Sequence, residues 1–360
     1  MRVLLVAPVA HKFPPLPLLK IGAGHVKGGD DVKLVVGRVL VAGDFDRVYV
    51  TSLFTWEWRE ACSCVRYYKA LLNAETWLGG VYATVHYEHA KKHSGADYVH
   101  RGLLEWVEDE IPAYSLLKDT PWEGWDASLV HASRGCTSKC SYCVVPKMEG
   151  SIKGRESIKK FVMRDHRWIV IMDNDFLRNP YVDKIFKELR YFSRRKGYWI
   201  DFNQGLRAAD IDLETAKKLS QLKVGLFGEE HRGIRIAYDF LSQTDAVEKA
   251  IRNLERAGIK PRNVHVYNLY NFRESPDEFF ERVKRTLLLG ANSYPMRYQP
   301  LESLEKNEFI DEKAGWTHEK LRWVEECRAR FGKGGFFPPY AALVQRMKES
   351  KSFEEMFKPW

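Results

Sequence analysis

The stretch HASRGCTSKCSYCVVPKMEG, residues 131–150, decides the reading of this chain. It sets Cys136, Cys140 and Cys143 within eight residues, separated by three and then two positions. An apolar run just before them, Leu129 to Ala132, predicts a strand. Three thiolates fit a cubane iron–sulfur cluster and leave one iron uncovered, and thiolates suit zinc as well. A structural zinc site wants four protein ligands, usually as two separated pairs. No second pair is in evidence: Cys62 and Cys64 are one residue apart and Cys327 stands alone. Those three are expected to be buried structural thiols.

Downstream of the cysteines the sequence alternates between strand and helix patterns. Strands are predicted at Trp168 to Met172, Trp199 to Asn203, Ile234 to Ala237, Val264 to Leu269 and Ser293 to Tyr298. Helices are predicted between them at Tyr181 to Arg195, Leu213 to Leu222 with Asp212 as its cap, Ala246 to Ala257, and Pro276 to Leu289. Repeated β/α units of roughly 30 residues suggest a barrel or partial barrel, with the cysteines where its first strand ends. From Leu301 onward the chain reads as helical and irregular.

Upstream, Val3 to Ala7, Val32 to Val36, Asp46 to Ser52 and Thr76 to Tyr82 read as strands, the last carrying Gly79 and Gly80. Leu16 to Val26 and Trp56 to Leu72 read as helices, so this half also implies a parallel sheet. The pattern weakens near Tyr98 to Gly102, and Glu108 to Asp126, with Pro112, Pro121 and Gly124, reads as a linker.

The chain has 360 residues, 45% hydrophobic and 29% charged, as a folded globular protein does. Clustered thiols in a large chain argue for metal rather than disulfides. No apolar stretch approaches the ~20 residues needed to span a bilayer, so a cytoplasmic protein without membrane contact is expected. The net charge of +9 favours an anionic partner without choosing one. Local basic clusters at Arg194, Arg195 and Lys196, and at Lys348, Lys351 and Lys358, read as solvated surface.

The cysteine spacing resembles the signature of the radical S-adenosylmethionine (SAM) family, and Tyr142, just before the last cysteine, stands where that family commonly places an aromatic residue beside the adenine. The phrases FPPLPLLKI, VPKMEG, MDNDFL, DFNQGLRAADI and MRYQPL, spread from about Arg2 to Leu301, together resemble radical SAM proteins with an N-terminal cobalamin-binding-like domain. The resemblance implies an α/β fold in three parts. These are a Rossmann-like, cobalamin-binding-like parallel α/β domain over residues 1–120, a radical SAM partial TIM β/α barrel over 121–300, and a helical C-terminal extension over 301–360.

It also implies one [4Fe-4S] cluster on Cys136, Cys140 and Cys143, whose uncovered iron binds SAM, and an electron donor such as flavodoxin or ferredoxin. Reductive cleavage of SAM would give a 5′-deoxyadenosyl radical that acts on a small-molecule, peptide or nucleic-acid substrate. Asp173 and Asn174 stand where the family often places the group for the SAM amino end, without its usual Gly-Gly-Glu; a turn capped by Asn174 or Asp175 is the plainer alternative. Asp201, Asn203, Gln204 and Arg207 follow the next strand and are expected to face cofactor or substrate. Arg235 is a candidate for the SAM carboxylate, or else a surface partner of Asp239. Tyr267, Asn268, Met296, Arg297, Tyr298 and Gln299 are candidates for a substrate pocket or for core.

The N-terminal half lacks the Asp-x-His-x-x-Gly motif that supplies histidine to cobalt in cobalamin domains. His11, His25, His86 and His89 are misplaced for it and read as surface histidines. Cobalamin binding without a protein ligand would make methyl transfer the leading reaction; a degenerate module that only packs on the barrel would leave the reaction open. A methylthiotransferase would carry three further cluster cysteines in its first domain, which this chain lacks. The alternative from another class is a non-catalytic, metal-stabilised nucleic-acid-binding protein, suggested by the positive charge and 13% aromatic residues but supported by no nucleic-acid-binding motif.

Overall fold

The structure, a computed structural model, describes residues 1–229 and 232–359. The first sheet holds β1 (Arg2–Ala7), β2 (Asp31–Val36), β3 (Arg47–Ser52), β4 (Glu75–Gly80) and β5 (Tyr98–Val99), paired in parallel in the order β2-β1-β3-β4-β5. Helices α1 (Leu16–Lys27), α2 (Trp58–Leu72), α3 (Val81–Val85) and α4 (Tyr87–Ser94) connect them. This is a doubly wound order whose connection reverses between β1 and β3, where such folds bind ligands outside the carboxyl ends of the strands.

Three expectations shift here. The strand expected to run to Tyr82 stops at Gly80, whose φ of +94° suits glycine and whose added Cβ would strike the Ser52 carbonyl; helix begins at the next residue. Tyr98 and Val99, where the pattern weakens, still pair with Trp77 and Leu78 as the edge strand. His25 is no surface histidine: it is buried, 2.7 Å from Asp30 and 3.1 Å from the Tyr49 hydroxyl.

The second unit begins with β6 (Ala127–Val130), then β7 (Ser133–Arg134), α5 (Val145–Met148), β8 (Lys153–Gly154), β9 (Trp168–Ile171), α6 (Val182–Lys196), β10 (Trp199–Phe202) and β11 (Leu206–Arg207). It continues with α7 (Leu213–Ser220), β12 (Ile234–Tyr238), α8 (Thr244–Arg256), β13 (Val264–Tyr270), α9 (Pro276–Leu288) and β14 (Asn292–Arg297). Two parallel sheets, β10-β9-β6 and β11-β12-β13-β14, form a partial barrel: Val224 adds a parallel bridge to Ile200 at the β10 edge, and the ion pair of Asp201 with Arg235 links β10 to β12.

Alternation along the strands separates two layers. Ile169, Ile171, Ile200, Phe202, Ile236 and Val266 pack on helices α6 to α8 through Ile185, Leu189, Leu219, Val247 and Ile251. Leu129, Trp168, Val170 and Trp199 instead meet Phe13 and Leu16 of the first unit and Phe227. Each fully buried large side chain contributes about 1.5–3 kcal/mol, so these layers dominate the fold's stability. Helix α8 has its apolar stripe at Val247, Ala250, Ile251 and Leu254. Helix α9 starts with Pro276 behind a reciprocal Ser275–Glu278 cap, and Asp212 caps α7 as expected.

After β14 come α10 (His318–Phe331), α11 (Ala341–Glu349) and α12 (Phe353–Phe357). The extension also covers the free edge of β14: Phe337 and Ser293 exchange backbone hydrogen bonds of 3.1 and 2.6 Å. Phe336 sets its ring 4.4 Å from His265 and 4.6 Å from Tyr294. An unpaired strand edge leaves donors and acceptors unmet, and this bridge satisfies those of Ser293.

Candidate cluster and cofactor site

Strand β6 ends two residues before the apolar run does, because a side chain takes over from the ladder. Asp173, just past β9, accepts from the Ala132 N–H at 2.7 Å and the Ser133 hydroxyl at 2.5 Å. Burial pushes its carboxyl up to about 7, against the pull of these donors. The chain then makes a short antiparallel pairing of β7 with β8 and turns at Gly135, where φ is +79° and a Cβ would strike the Ser151 carbonyl. Only glycine passes there without strain, and Cys136 follows at once.

The excursion from Cys136 is closed by its N–H on the Gly150 carbonyl at 3.3 Å, and a turn links Cys143 N–H to the Cys140 carbonyl at 3.1 Å. All three cysteines are free and partly exposed. Burial raises the thiol pKa of Cys136 and of Cys143, so a metal taken up here must displace bound protons. Among the described residues, no group of three or more His, Cys, Asp or Glu side chains could hold a single metal ion. A cubane sets a different requirement, since its cysteines bind separate irons.

Two ionic braces hold this loop. In the first, one oxygen of buried Asp175 accepts from Thr137 N–H at 2.9 Å, the Thr137 hydroxyl at 2.6 Å and Arg207 at 3.0 Å, and lies 3.5 Å from Cys136 Sγ. The expected capping role is absent: Asp175 precedes a short 3-10 turn but makes no side-chain cap to it. In the second, Arg134 spans Glu108 through two bonds of 2.9 Å and Glu149 at 3.0 Å. Glu149 also receives Gly135 N–H at 2.7 Å and the Asn174 amide at 3.2 Å. Sequence reading missed Thr137, Arg134, Glu149 and Glu108, because their partners lie on other segments and leave no periodic trace.

The expected cofactor residues fall into distinct settings. Tyr142 donates to Asp239 at 3.0 Å, with its ring 5.5 Å from Phe272 and 6.0 Å from Phe240; burial and the Asp239 charge push its phenol far up. The Asp239 carboxyl is itself raised by burial, and it serves Tyr142 rather than Arg235. Arg235 is buried against Asp201, whose other oxygen accepts Phe227 N–H at 2.9 Å, so the surface-pair reading does not hold. Burial raises the Asp201 carboxyl, opposed by Arg235. The buried Arg235 Nε has no hydrogen-bond partner among the described residues.

Asn203 is half-buried, bonded through its backbone to Ile171, and Gln204 is exposed. Tyr267 rests 5.4 Å from Tyr294, whereas Asn268 is fully buried, where its side-chain oxygen meets Ser293 at 2.6 Å. Arg297 and Gln299 are taken up by the following loop, through Asn307 at 2.7 Å and Glu305 at 2.8 Å. The other cysteines are buried, and burial pushes Cys64 to about 11 and Cys327 to about 12.

The carboxyl ends of the first sheet and of the barrel meet across one seam. Lys12, after β1, reaches the Phe227 carbonyl at 2.9 Å, and Thr55, after β3, reaches Ser303 at 2.8 Å. His86 contacts the Leu301 carbonyl at 3.1 Å, His89 the Tyr82 hydroxyl at 2.7 Å, and His11 pairs with Glu57 at 2.8 Å. Within β4, a Cβ on Gly79 would meet no described atom within 4 Å.

A parallel α/β unit of this order joined to a partial barrel with cysteines at its first strand end defines a class of fold, and solved structures share it. One is the radical S-adenosylmethionine methyltransferase TsrM from Kitasatospora setae with cobalamin and a [4Fe-4S] cluster bound. Its TM-score is 0.59 at 15% identity, over 83% of this chain and 76% of that one. The same methyltransferase with tryptophan substrate and the SAM analogue aza-SAM gives 0.59 at 14% identity, over 91% and 76%. This chain has that two-unit fold. No family model matches the sequence, and no curated protein matches it.

Proposed function

We propose that this protein is a radical SAM enzyme with one [4Fe-4S] cluster on Cys136, Cys140 and Cys143, which modifies a small-molecule substrate by cobalamin-dependent methyl transfer. The observation that carries the reading is the cysteine loop itself. Three free thiols leave the end of the first barrel strand at a glycine whose turn would strain any side chain, under two ionic braces. The donor set is all thiolate, as iron–sulfur clusters prefer. When bound, the cluster supplies the electron that breaks a carbon–sulfur bond of SAM, yielding a 5′-deoxyadenosyl radical.

The chain's own part is to hold and orient. Tyr142, fixed by Asp239 among Phe240 and Phe272, offers an aromatic face next to Cys143. Asn174 and Asn203, both half-buried at strand ends, are proposed to bind the polar end of SAM, with exposed Gln204 at the rim. Asp173, Asp201 and Arg235 belong to the same mouth, and the Arg235 Nε, without a hydrogen-bond partner among the described residues, is a donor for a carboxylate. Asp173 and Asp201 act first on the protein itself, bracing β7 and Arg235.

Cobalamin would sit at the crossover between β1 and β3, beside the open surface at Gly79. His25 uses both ring nitrogens within the chain and would not ligate cobalt, whereas His11, His86 and His89 each engage one. The proposal divides the chain into units at 1–120, 121–300 and 301–360, with an electron donor such as flavodoxin or ferredoxin and a cytoplasmic site of action. No described helix is long and apolar enough to cross a membrane. The test is to add hydroxocobalamin to the reconstituted protein, pass it through gel filtration and record its visible spectrum, then assay 5′-deoxyadenosine after dithionite and SAM. Co-eluting cobalamin and deoxyadenosine support the proposal; deoxyadenosine alone removes cobalamin from it, and neither product sinks it.

A further inference from the structure

The environment of Cys136 differs from that of the other two cysteines in carrying a network of fixed charges. Arg207, at the end of β11, donates to Asp175 at 3.0 Å and to the Thr137 hydroxyl at 3.0 Å, and its nitrogen lies 3.9 Å from Cys136 Sγ. Its Nε is 3.5 Å from Asp210, which in turn binds Arg178 through bonds of 2.9 and 2.5 Å. The guanidinium is thus pinned between two carboxylates, one of them only 2% exposed. Ser138 N–H also points at the same sulfur, at 3.3 Å.

Asp175, 3.5 Å from Cys136 Sγ, sets a buried carboxylate beside a ligand sulfur and is itself held by Thr137 N–H, the Thr137 hydroxyl and Arg207. Arg207 sets a fixed positive charge beside both the carboxylate and the sulfur. Hydrogen bonds to cluster sulfurs, net charge and exposure set the potential of such centres, and partners of the ligands orient them.

Resting on the function proposed above, we infer that Arg207, clamped by Asp175 and Asp210, is a positioning residue that raises the reduction potential of the cluster held through Cys136. One electron enters from an external reductant, which is oxidised as the cluster is reduced. The added negative charge is better tolerated with a fixed cation beside the sulfur.

The test is an EPR-monitored redox titration, with dithionite as reductant, of the anaerobically reconstituted full chain and of Arg207→Gln and Arg207→Lys, with iron counted in each. The expected result is a midpoint shifted to more negative potential in R207Q and largely restored in R207K, at unchanged iron content. Equal midpoints in R207Q and wild type overturn the inference while leaving the function standing. So does loss of iron with an unchanged midpoint in the remaining cluster, which would mark a purely structural role. Failure of the wild type to take up iron overturns the function, and this inference with it.

Discussion

The first unit and the barrel turn the carboxyl ends of their strands to one seam, yet they arm those ends differently. The barrel end carries charged pairs that are buried or partly buried: Arg207 with Asp175, Arg235 with Asp201, Arg134 with Glu149, and Arg282 with Glu274. The first unit offers mainly ring contacts there, with Phe54 stacked on Trp56 at 4.4 Å and His11 edge-on to Phe54 at 5.5 Å. Charge buried away from water is costly unless paired, so it accumulates where geometry must be held fixed. Under the function proposed above, bond-breaking chemistry falls to the barrel and shape recognition to the first unit.

The comparison breaks most completely at the cysteines. Cys136→Ala is expected to abolish cluster assembly, taking iron from about four per chain to near zero, whereas Cys62→Ala in the first unit should leave it unchanged; colorimetric iron counting decides. Among the charged pairs, Arg282→Ala should cost most. Its side chain is 1% exposed and binds Glu274 at 2.9 Å, the Tyr238 carbonyl at 2.6 Å and the Leu269 carbonyl at 2.5 Å. Removal strands a partly buried carboxylate, for a loss of about 3–5 kcal/mol in urea unfolding.

Asp173 gives a pH signature. Its folded carboxyl is raised from the usual 3.8 to about 7, so between those values the folded state holds a proton that the unfolded chain has released. Stability therefore falls as pH rises through that window, by about 1.4 kcal/mol per unit at most, and levels off above it. Asp173→Asn, which keeps an acceptor for Ala132, should flatten this component; equal pH slopes in the two proteins would contradict it. Gly135→Ala forces a side chain into the φ +79° turn and should cost about 1–3 kcal/mol, with poorer cluster retention. The smallest effect is expected at the seam's surface, where Arg59 pairs with Glu305 at 2.5 Å but is 56% exposed. Arg59→Ala should leave stability almost unchanged, and salt should weaken even that small effect.

The architecture was legible because its signals are local. Alternating apolar runs of strand and helix length survive in the structure with ends displaced by a few residues, and Asp212 caps its helix as read. The displaced ends have tertiary causes: Asp173 captures Ala132 and Ser133, and Gly80 collides with Ser52 if given a side chain. The cysteines too were readable from spacing. What surrounds them was not. Asp175 looked like a helix cap and instead holds Thr137, Arg235 chose Asp201 over its sequence neighbour Asp239, and Glu149 returns from beyond α5 to clasp Gly135. Such partners are set by how strand ends converge in space, which no periodicity records.

The most direct test of the account is anaerobic reconstitution with iron and sulfide, followed by iron analysis and EPR of the dithionite-reduced protein with and without SAM, beside Cys136→Ala. The account predicts about four irons per chain, an EPR signal that changes when SAM is added, and loss of both in the mutant. One zinc per chain, with no reducible cluster, would contradict it.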